Sequence, residues 1–200
     1  MKLITSPPSP YARKIRVLLR ETGMIDRVEE MDVTTSPMAS APDALAGNPT
    51  GKIPSLIRGD GPAIYDSRVI SRYLNDIGNC DLYPEHALYE VLTLEATADA
   101  IMDATVGMVY ETRLRPESQQ SQDWLDAQWG KAERAISAIN DRWMSHLNGP
   151  LNAAQIATSC ALSYVDLRHD ARNWRNGNEA LSTWQAEFSA RPSMQDTAPT

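Results

Sequence analysis

Short strand-like and helical segments alternate over residues 1–77, and beyond them only helical periodicity remains. "KLIT" (Lys2 to Thr5) reads as a strand, followed by a helix from about Tyr11 to Thr22. Tyr11, Ile15, Leu18, Leu19 and Thr22 share one side of that helix at its natural period, and Gly23 is the expected stop. "VEEMDV" (Val28 to Val33) alternates apolar and acidic residues, as a partly exposed strand does. One helical turn is expected near Asp43 to Ala46. "SLIR" and "AIY" flank the turn sequence "GDGP", which predicts a hairpin, and "DSRVISRYLNDI" restores the helical period. The order is βαβ, then ββα.

A linker over 78–86 leads into an all-helical stretch over 87–200. Its first long helix is expected over 87–114, and a second from Gln122 to His146, ended by Asn148-Gly149-Pro150. A third is expected from Ala153 to Asp170 and a short fourth around Glu179 to Phe188. The fold class is therefore α/β plus all-α: a small α/β domain over 1–77, then a helical bundle. With 42% hydrophobic residues in 200, the chain can support one large domain or two small ones.

Three elements in the first domain carry chemistry. In "SPPSPY", Ser9 stands at a helix N-cap with Pro10 at the first helical position. Its hydroxyl sits beside unpaired N–H groups at the positive end of the helix, where an anion such as a thiolate can bind. Capping alone explains it equally well. Arg13, Lys14, Arg16 and Arg20 follow, and read either as a solvated face or as a local positive field. In "NPTGKIPSL", Ile53-Pro54 enters a strand at a place that tolerates a proline, a cis one included. Its alternatives are an ordinary corner or a backbone turned outward to pair with an extended peptide. In "YDSRVISRYL", Asp66 and Ser67 open a helix, as caps or as holders of the ammonium and carboxylate of an α-amino acid.

Together, SPY with RKIR, NP-x-GKIP and DS-x-x-I-x-x-YL resemble the glutathione S-transferase superfamily, in its bacterial, serine-type form. "AQIATSCALSYVDLR" and "FSARPS" extend the resemblance over the helical half. It implies a thioredoxin-like βαβ-ββα domain joined to a helical domain, and glutathione as co-substrate. It also implies Ser9 as the catalytic residue, a donor to the sulfur, with Ser6 as the rival hydroxyl held in an extended loop by Pro7-Pro8. Ile53, before Pro54, would pair with the cysteinyl backbone, Asp66 and Ser67 would hold the γ-glutamyl head, and Lys52 would reach the glycine carboxylate. Asp66 departs from the Glu or Gln of many relatives. Tyr11, Met102, Val106, Tyr110 and Arg113 are candidates for an electrophile pocket, with core packing the alternative for the apolar ones.

A free thiol with a pKa near ~8.5 is only a few per cent ionised at neutral pH. Lowering that value by about 2 units requires roughly 2.7 kcal/mol of preferential thiolate stabilisation, for which Ser9 and the helix dipole are sources. The implied reaction is attack of the thiolate on an electrophile, of the kind used in detoxification. Serine in place of cysteine disfavours thiol transfer, and Pro10 and Tyr11 depart from the Ser-Ser-Cys of zeta-type isomerases. The alternatives are a non-catalytic glutathione-binding or interaction module and a glutathione-dependent lyase, reductase or peroxidase.

The remaining features bound the function. A net charge of −7 argues against a general nucleic-acid or anionic-membrane surface. Apolar runs fall short of the roughly 18 residues that span a bilayer. No secretory leader is expected, and two cysteines, Cys80 and Cys160, make no disulfide framework, so the expected setting is cytoplasmic. His86, His146 and His169 lack the spacing of a metal site, and no metal is expected. Asn152 and Gln155 have capping-box spacing, where relatives carry Ser or Thr and then Asp. A homodimer is expected from the resemblance.

Overall fold

The computed structural model describes residues 1–199 and divides into two compact units. The first comprises Met1–Glu85 together with the chain from Arg191 onward; the second is His86–Ala190. The expectation of one helical domain over 87–200 thus differs at its end, where the chain rejoins the first unit.

In the first unit, β1 (Lys2–Thr5) is the centre of a three-stranded sheet of order β2-β1-β3. It pairs parallel with β2 (Glu29–Asp32) and antiparallel with β3 (Ser55–Ile57). Leu3, Ile4 and Leu56 are wholly buried, as central-strand residues with both faces covered should be. The expected hairpin partner after β3 is reduced to one bridge, Leu56 with Ile64. Gly59, Gly61 and Pro62 crowd this connection and leave too few residues for a ladder. Helix α1 (Pro10–Glu21) buries Ala12, Ile15, Leu18 and Leu19 and stops where Gly23 takes φ +65°. A single-turn helix α2 (Pro42–Gly47) precedes β3, and α3 (Ser67–Gly78) packs on α1.

The basic run of α1 is neither a solvated face nor a free positive field. Arg13 and Lys14 are buried, and the Arg13 guanidinium donates to the Met194 carbonyl at 3.0 Å. Arg16 and Arg20 bind Glu30 of β2 at 2.8 and 2.6 Å. Burial pushes the Glu30 carboxyl up, but the hydrogen bonds from Arg20 and Arg16 outweigh it and hold it below its ordinary value.

Helix α4 (Leu88–Leu114) is the spine of the second unit, packed against α5 (Gln122–Arg142) and α7 (Ala153–His169). The helix expected through His146 breaks at Trp143, and a single turn, α6 (Met144–Leu147), follows. α7 is buried along most of its length and rich in Ala, Ser and Thr, which allows close packing. Its first turn is closed by a capping box: Asn152 N–H donates to Gln155 Oε1 at 2.9 Å, and Gln155 N–H donates back to Asn152 Oδ1. The Gln155 amide also donates to the carbonyls of Leu147 and Gly149, so one side chain satisfies two helix ends. α8 (Glu179–Ser189) packs on α5, α6 and α7.

The last element, α9 (Pro192–Asp196), belongs to the first unit and packs on α1. Glu21 accepts two hydrogen bonds from Arg191, at 2.8 and 2.7 Å, and a third from the Ser193 hydroxyl. Among the described residues no helix is long and apolar enough to cross a membrane.

Candidate functional site

Each of the three sequence elements lies where a chain segment enters a helix or strand of the first unit. Ser9 is the N-cap of α1, with an extended backbone, and its Oγ accepts from the Ala12 N–H at 3.3 Å. An acceptor role leaves the hydroxyl proton free to donate elsewhere. The segment before it is not extended as expected. Ser9 N–H donates to the Ser6 carbonyl at 3.0 Å, closing a tight turn over Pro7 and Pro8. Prolines preset φ for such a turn, and the bond completes it.

The second element is positioned by a residue that the sequence reading passed over. Asn48 is buried, accepts at Oδ1 from the Thr50 N–H and Oγ1, and donates from Nδ2 to the Lys52 carbonyl at 3.1 Å. The signal was legible: Asn-Pro-Thr-Gly is a turn sequence, and Asn commonly binds the backbone two residues on. Gly51 completes the turn with φ +69°, and its N–H donates to the Asn48 carbonyl. The Ile53–Pro54 peptide is cis, with Pro54 buried. Among the described residues, the Ile53 N–H and C=O bond to no other backbone group. They lie just outside the β3 ladder, as a backbone edge able to receive an extended peptide.

The third element opens α3. Asp66 is its N-cap: Oδ1 accepts from the Arg68 N–H at 3.0 Å and Oδ2 lies 3.4 Å from the Arg68 guanidinium. A carboxylate has about four lone-pair sites, so acceptor capacity is left for an ammonium. Ser67 is buried and its hydroxyl has no partner among the described residues. Lys52 is exposed, with its ammonium unpaired among the same residues.

Strand register brings these elements to one end of the sheet. β1 and β3 pair Ile4 with Ser55, so continuing two positions sets Ser6 across from Ile53, one turn before Ser9. On the other edge of β3, the Leu56–Ile64 bridge continues toward Asp66 at the level of Pro54. A hydroxyl at a helix N-cap, a free backbone edge and a helix N-terminus with a carboxylate therefore share one end. That set suits a short, extended, amino-acid-like peptide.

The candidates for an electrophile pocket are less uniform. Tyr11 belongs to the first unit and is half-buried beside Ser9 in sequence. In the second unit, Met102 is wholly buried and packs in the core, with no surface to offer a ligand. Val106 is partly exposed, Tyr110 is 44% exposed and Arg113 is exposed. Among the described residues, no group of three or more His, Cys, Asp or Glu could hold a metal ion.

Residues 8–77 match the family described as "Glutathione S-transferase, N-terminal domain", and residues 122–186 match "Glutathione S-transferase, C-terminal domain". An uncharacterized GST-like protein of Escherichia coli K12, YibF, is 31% identical over 100% of this chain and 98% of its own length. A crystal structure of a glutathione transferase family member from Pseudomonas fluorescens Pf-5 with bound glutathione is 41% identical, with a TM-score of 0.96 over 100% of this chain and 98% of that one. A second structure from the same organism, with bound S-(propanoic acid)-glutathione, is 40% identical, with a TM-score of 0.91 and full coverage of both chains (100% each).

Proposed function

The chain belongs to the glutathione S-transferase superfamily, and from that premise we propose that it is a glutathione transferase, binding glutathione in its first unit and activating the thiol with Ser9. Glutathione is bound in the similar Pseudomonas structures. The observation that carries the reading to this chain is the pairing of Ser9 with Ile53. One offers a hydroxyl proton at the positive, N-terminal end of α1, and the other offers an unpaired backbone edge two register steps beyond the β1–β3 ladder.

On this reading the cysteinyl backbone of glutathione lies antiparallel to Ile53 and adds a short strand edge to the sheet. The γ-glutamyl carboxylate takes the Ser67 hydroxyl and the N-terminus of α3, where N–H groups and helix dipole favour an anion. The γ-glutamyl ammonium takes the remaining acceptor positions of Asp66, and Lys52 draws the glycine carboxylate. Ser9 donates to the sulfur, and this charge-assisted bond favours the thiolate over the thiol. The ionised sulfur then attacks a small electrophile, forming a thioether as the leaving group departs, or as the adjacent carbon takes up a proton in an addition. Ser9 forms no covalent bond.

We read the protein further as a cytoplasmic homodimer serving detoxification. Support for pairing with a second copy comes from an exposed row on α4, where Tyr89 (79% exposed) and Leu92 flank Thr93 and Ala96.

Thermal denaturation with glutathione tests the binding. A ligand selective for the folded state raises stability by about 2.7 kcal/mol at a hundredfold excess over its Kd. A clear rise in Tm at millimolar glutathione is expected, and no shift at that concentration overturns the reading.

A further inference from the structure

The backbone edge at Ile53 has a direction, and that direction decides which groups meet each end of a bound thiol peptide. Antiparallel pairing sends the residue after the cysteine back past Lys52 toward the turn over 48–51, and the residue before it toward Pro54. Asp66 lies at the level of Pro54, and Ser67 opens α3 beside it. The loop over 33–41 starts at the same end of the sheet, where the Val33 N–H donates to the Thr5 carbonyl at 2.8 Å. Its Ser40 side chain lies against Gly51 of the turn.

The two ends are met unequally. At the γ-glutamyl end stand the Ser67 hydroxyl, in a residue only 4% exposed and without a partner among the described residues, the N-terminus of α3 and the Asp66 carboxylate. A buried hydroxyl left without a partner is costly, so a ligand carboxylate that supplies one gains by it. At the other end stands the Lys52 ammonium, exposed and unpaired among the described residues. Residues 33–51, which supply the loop and the turn there, hold no Lys, Arg or His. An exposed ion pair contributes a factor of about five at most. Asn48 fixes the backbone edge but not that side chain: it is 3% exposed and donates to the Lys52 carbonyl at 3.1 Å, while the flexible lysine stem stays free to follow a carboxylate.

We propose that the thiol site reads the γ-glutamyl and cysteinyl residues and leaves glycine almost unread, so that γ-glutamylcysteine serves as a second thiol co-substrate. The inference rests on the transferase reading and names the class of thiol its site accepts: γ-glutamyl thiol peptides, with or without the third residue. Removing glycine turns the cysteine carbonyl into a carboxylate at the same place. That carboxylate still accepts from the Ile53 N–H, now through a charge-assisted bond. It also sets a negative charge beside the residue that follows Gly51, Lys52, so part of what glycine contributed is restored. The sulfur meets Ser9 in either peptide, because the edge and the head set its position.

Calorimetric titration of the full chain compares glutathione, γ-glutamylcysteine and cysteinylglycine. γ-Glutamylcysteine should bind within about tenfold of glutathione, or about 1.4 kcal/mol. Cysteinylglycine, which keeps glycine and loses the head, should bind at least about tenfold more weakly than γ-glutamylcysteine. Lys52→Gln should weaken glutathione by no more than about fivefold. Ultraviolet titration should place the midpoint of both bound γ-glutamyl thiols below that of a free thiol near ~8.5. The proposal is overturned by a γ-glutamylcysteine Kd more than about tenfold above that of glutathione, by a cysteinylglycine Kd less than about tenfold above that of γ-glutamylcysteine, by a larger loss in Lys52→Gln, or by an unlowered midpoint for the bound dipeptide. Glutathione in the same series separates the two levels. If it binds and the dipeptide fails, the specificity is wrong; if glutathione itself does not bind at millimolar concentration, the transferase reading fails and the inference falls with it.

Discussion

Replacing Glu21 by Ala should loosen the C-terminal helix from α1, in a way that depends on pH. In the wild-type chain Glu21 accepts both N–H groups of the Arg191 fork and the Ser193 hydroxyl. The side chain of Glu21 is 11% exposed and that of Arg191 is 39% exposed. Exposed ion pairs contribute about 0.2–1 kcal/mol, and breaking a buried one costs about 3–5 kcal/mol. A half-buried bidentate pair, discounted for solvent on the arginine side, falls between them at roughly 2 kcal/mol. For a chain of this size that corresponds to a Tm lower by about 4–8 °C. The Arg191 hydrogen bonds are the largest influence on Glu21 and, with Ser193, hold its carboxyl below the ordinary value despite burial.

The sign follows from that depression. The contribution is fully present above the unfolded carboxylate pKa of about 4.3 and fades as pH falls through the lower folded value. Melting curves of wild type and Glu21→Ala should therefore differ at pH 7 and converge well below pH 4.3. Hydrogen exchange of the amides over residues 192–197 should quicken in the variant at neutral pH. A double cycle with Arg191→Ala should return a coupling energy of about 1–2 kcal/mol. A difference in Tm that is constant with pH, or unaltered exchange in α9, would refute the reasoning.

Gln155→Ala should lower stability by roughly 1–3 kcal/mol, because it removes half of the capping box, leaves the Gly149 carbonyl without its donor and takes one of two donors from the Leu147 carbonyl, which keeps the Trp184 indole; chemical denaturation measures this, and a loss below about 0.5 kcal/mol, about the effect of an ordinary surface substitution, would show the network to be dispensable. Gly51→Ala should weaken glutathione binding more than it lowers Tm, since a side chain at φ +69° meets the Ser40 side chain and shifts the turn that aims Lys52 and Ile53; calorimetric titration with unchanged affinity would dissociate that turn from the site.

What the sequence revealed was whatever depends on near neighbours. Ser9-Pro10, Asp66 and Asn152 announce helix starts because a cap acts within three residues, and the structure has caps at all three. Ile53-Pro54 was legible as a strand entry because proline lacks the donor that a ladder needs. The fate of the basic run on α1 was not legible. It depends on β2 lying parallel to β1, which places Glu30 beside Arg16 and Arg20, and on α9 returning from the far end of the chain to meet Arg13. The break at Trp143 was hidden too, since no Gly or Pro marks it; the Leu147 carbonyl at the end of the single turn that follows is met by Gln155 and Trp184 from later in the chain. Tyr110 and Arg113 were visible as candidates on one helix.

The central claim is that Ser9 favours the thiolate of bound glutathione. Ultraviolet titration of the bound thiol in the wild-type chain, Ser9→Ala and Ser6→Ala tests it most directly. The wild-type midpoint should lie at least about 1 unit below a free thiol near ~8.5, and Ser9→Ala should raise it by about 1 unit, roughly 1.4 kcal/mol of lost thiolate stabilisation, while Ser6→Ala leaves it in place. A midpoint unmoved by Ser9→Ala, or moved instead by Ser6→Ala, would contradict the account.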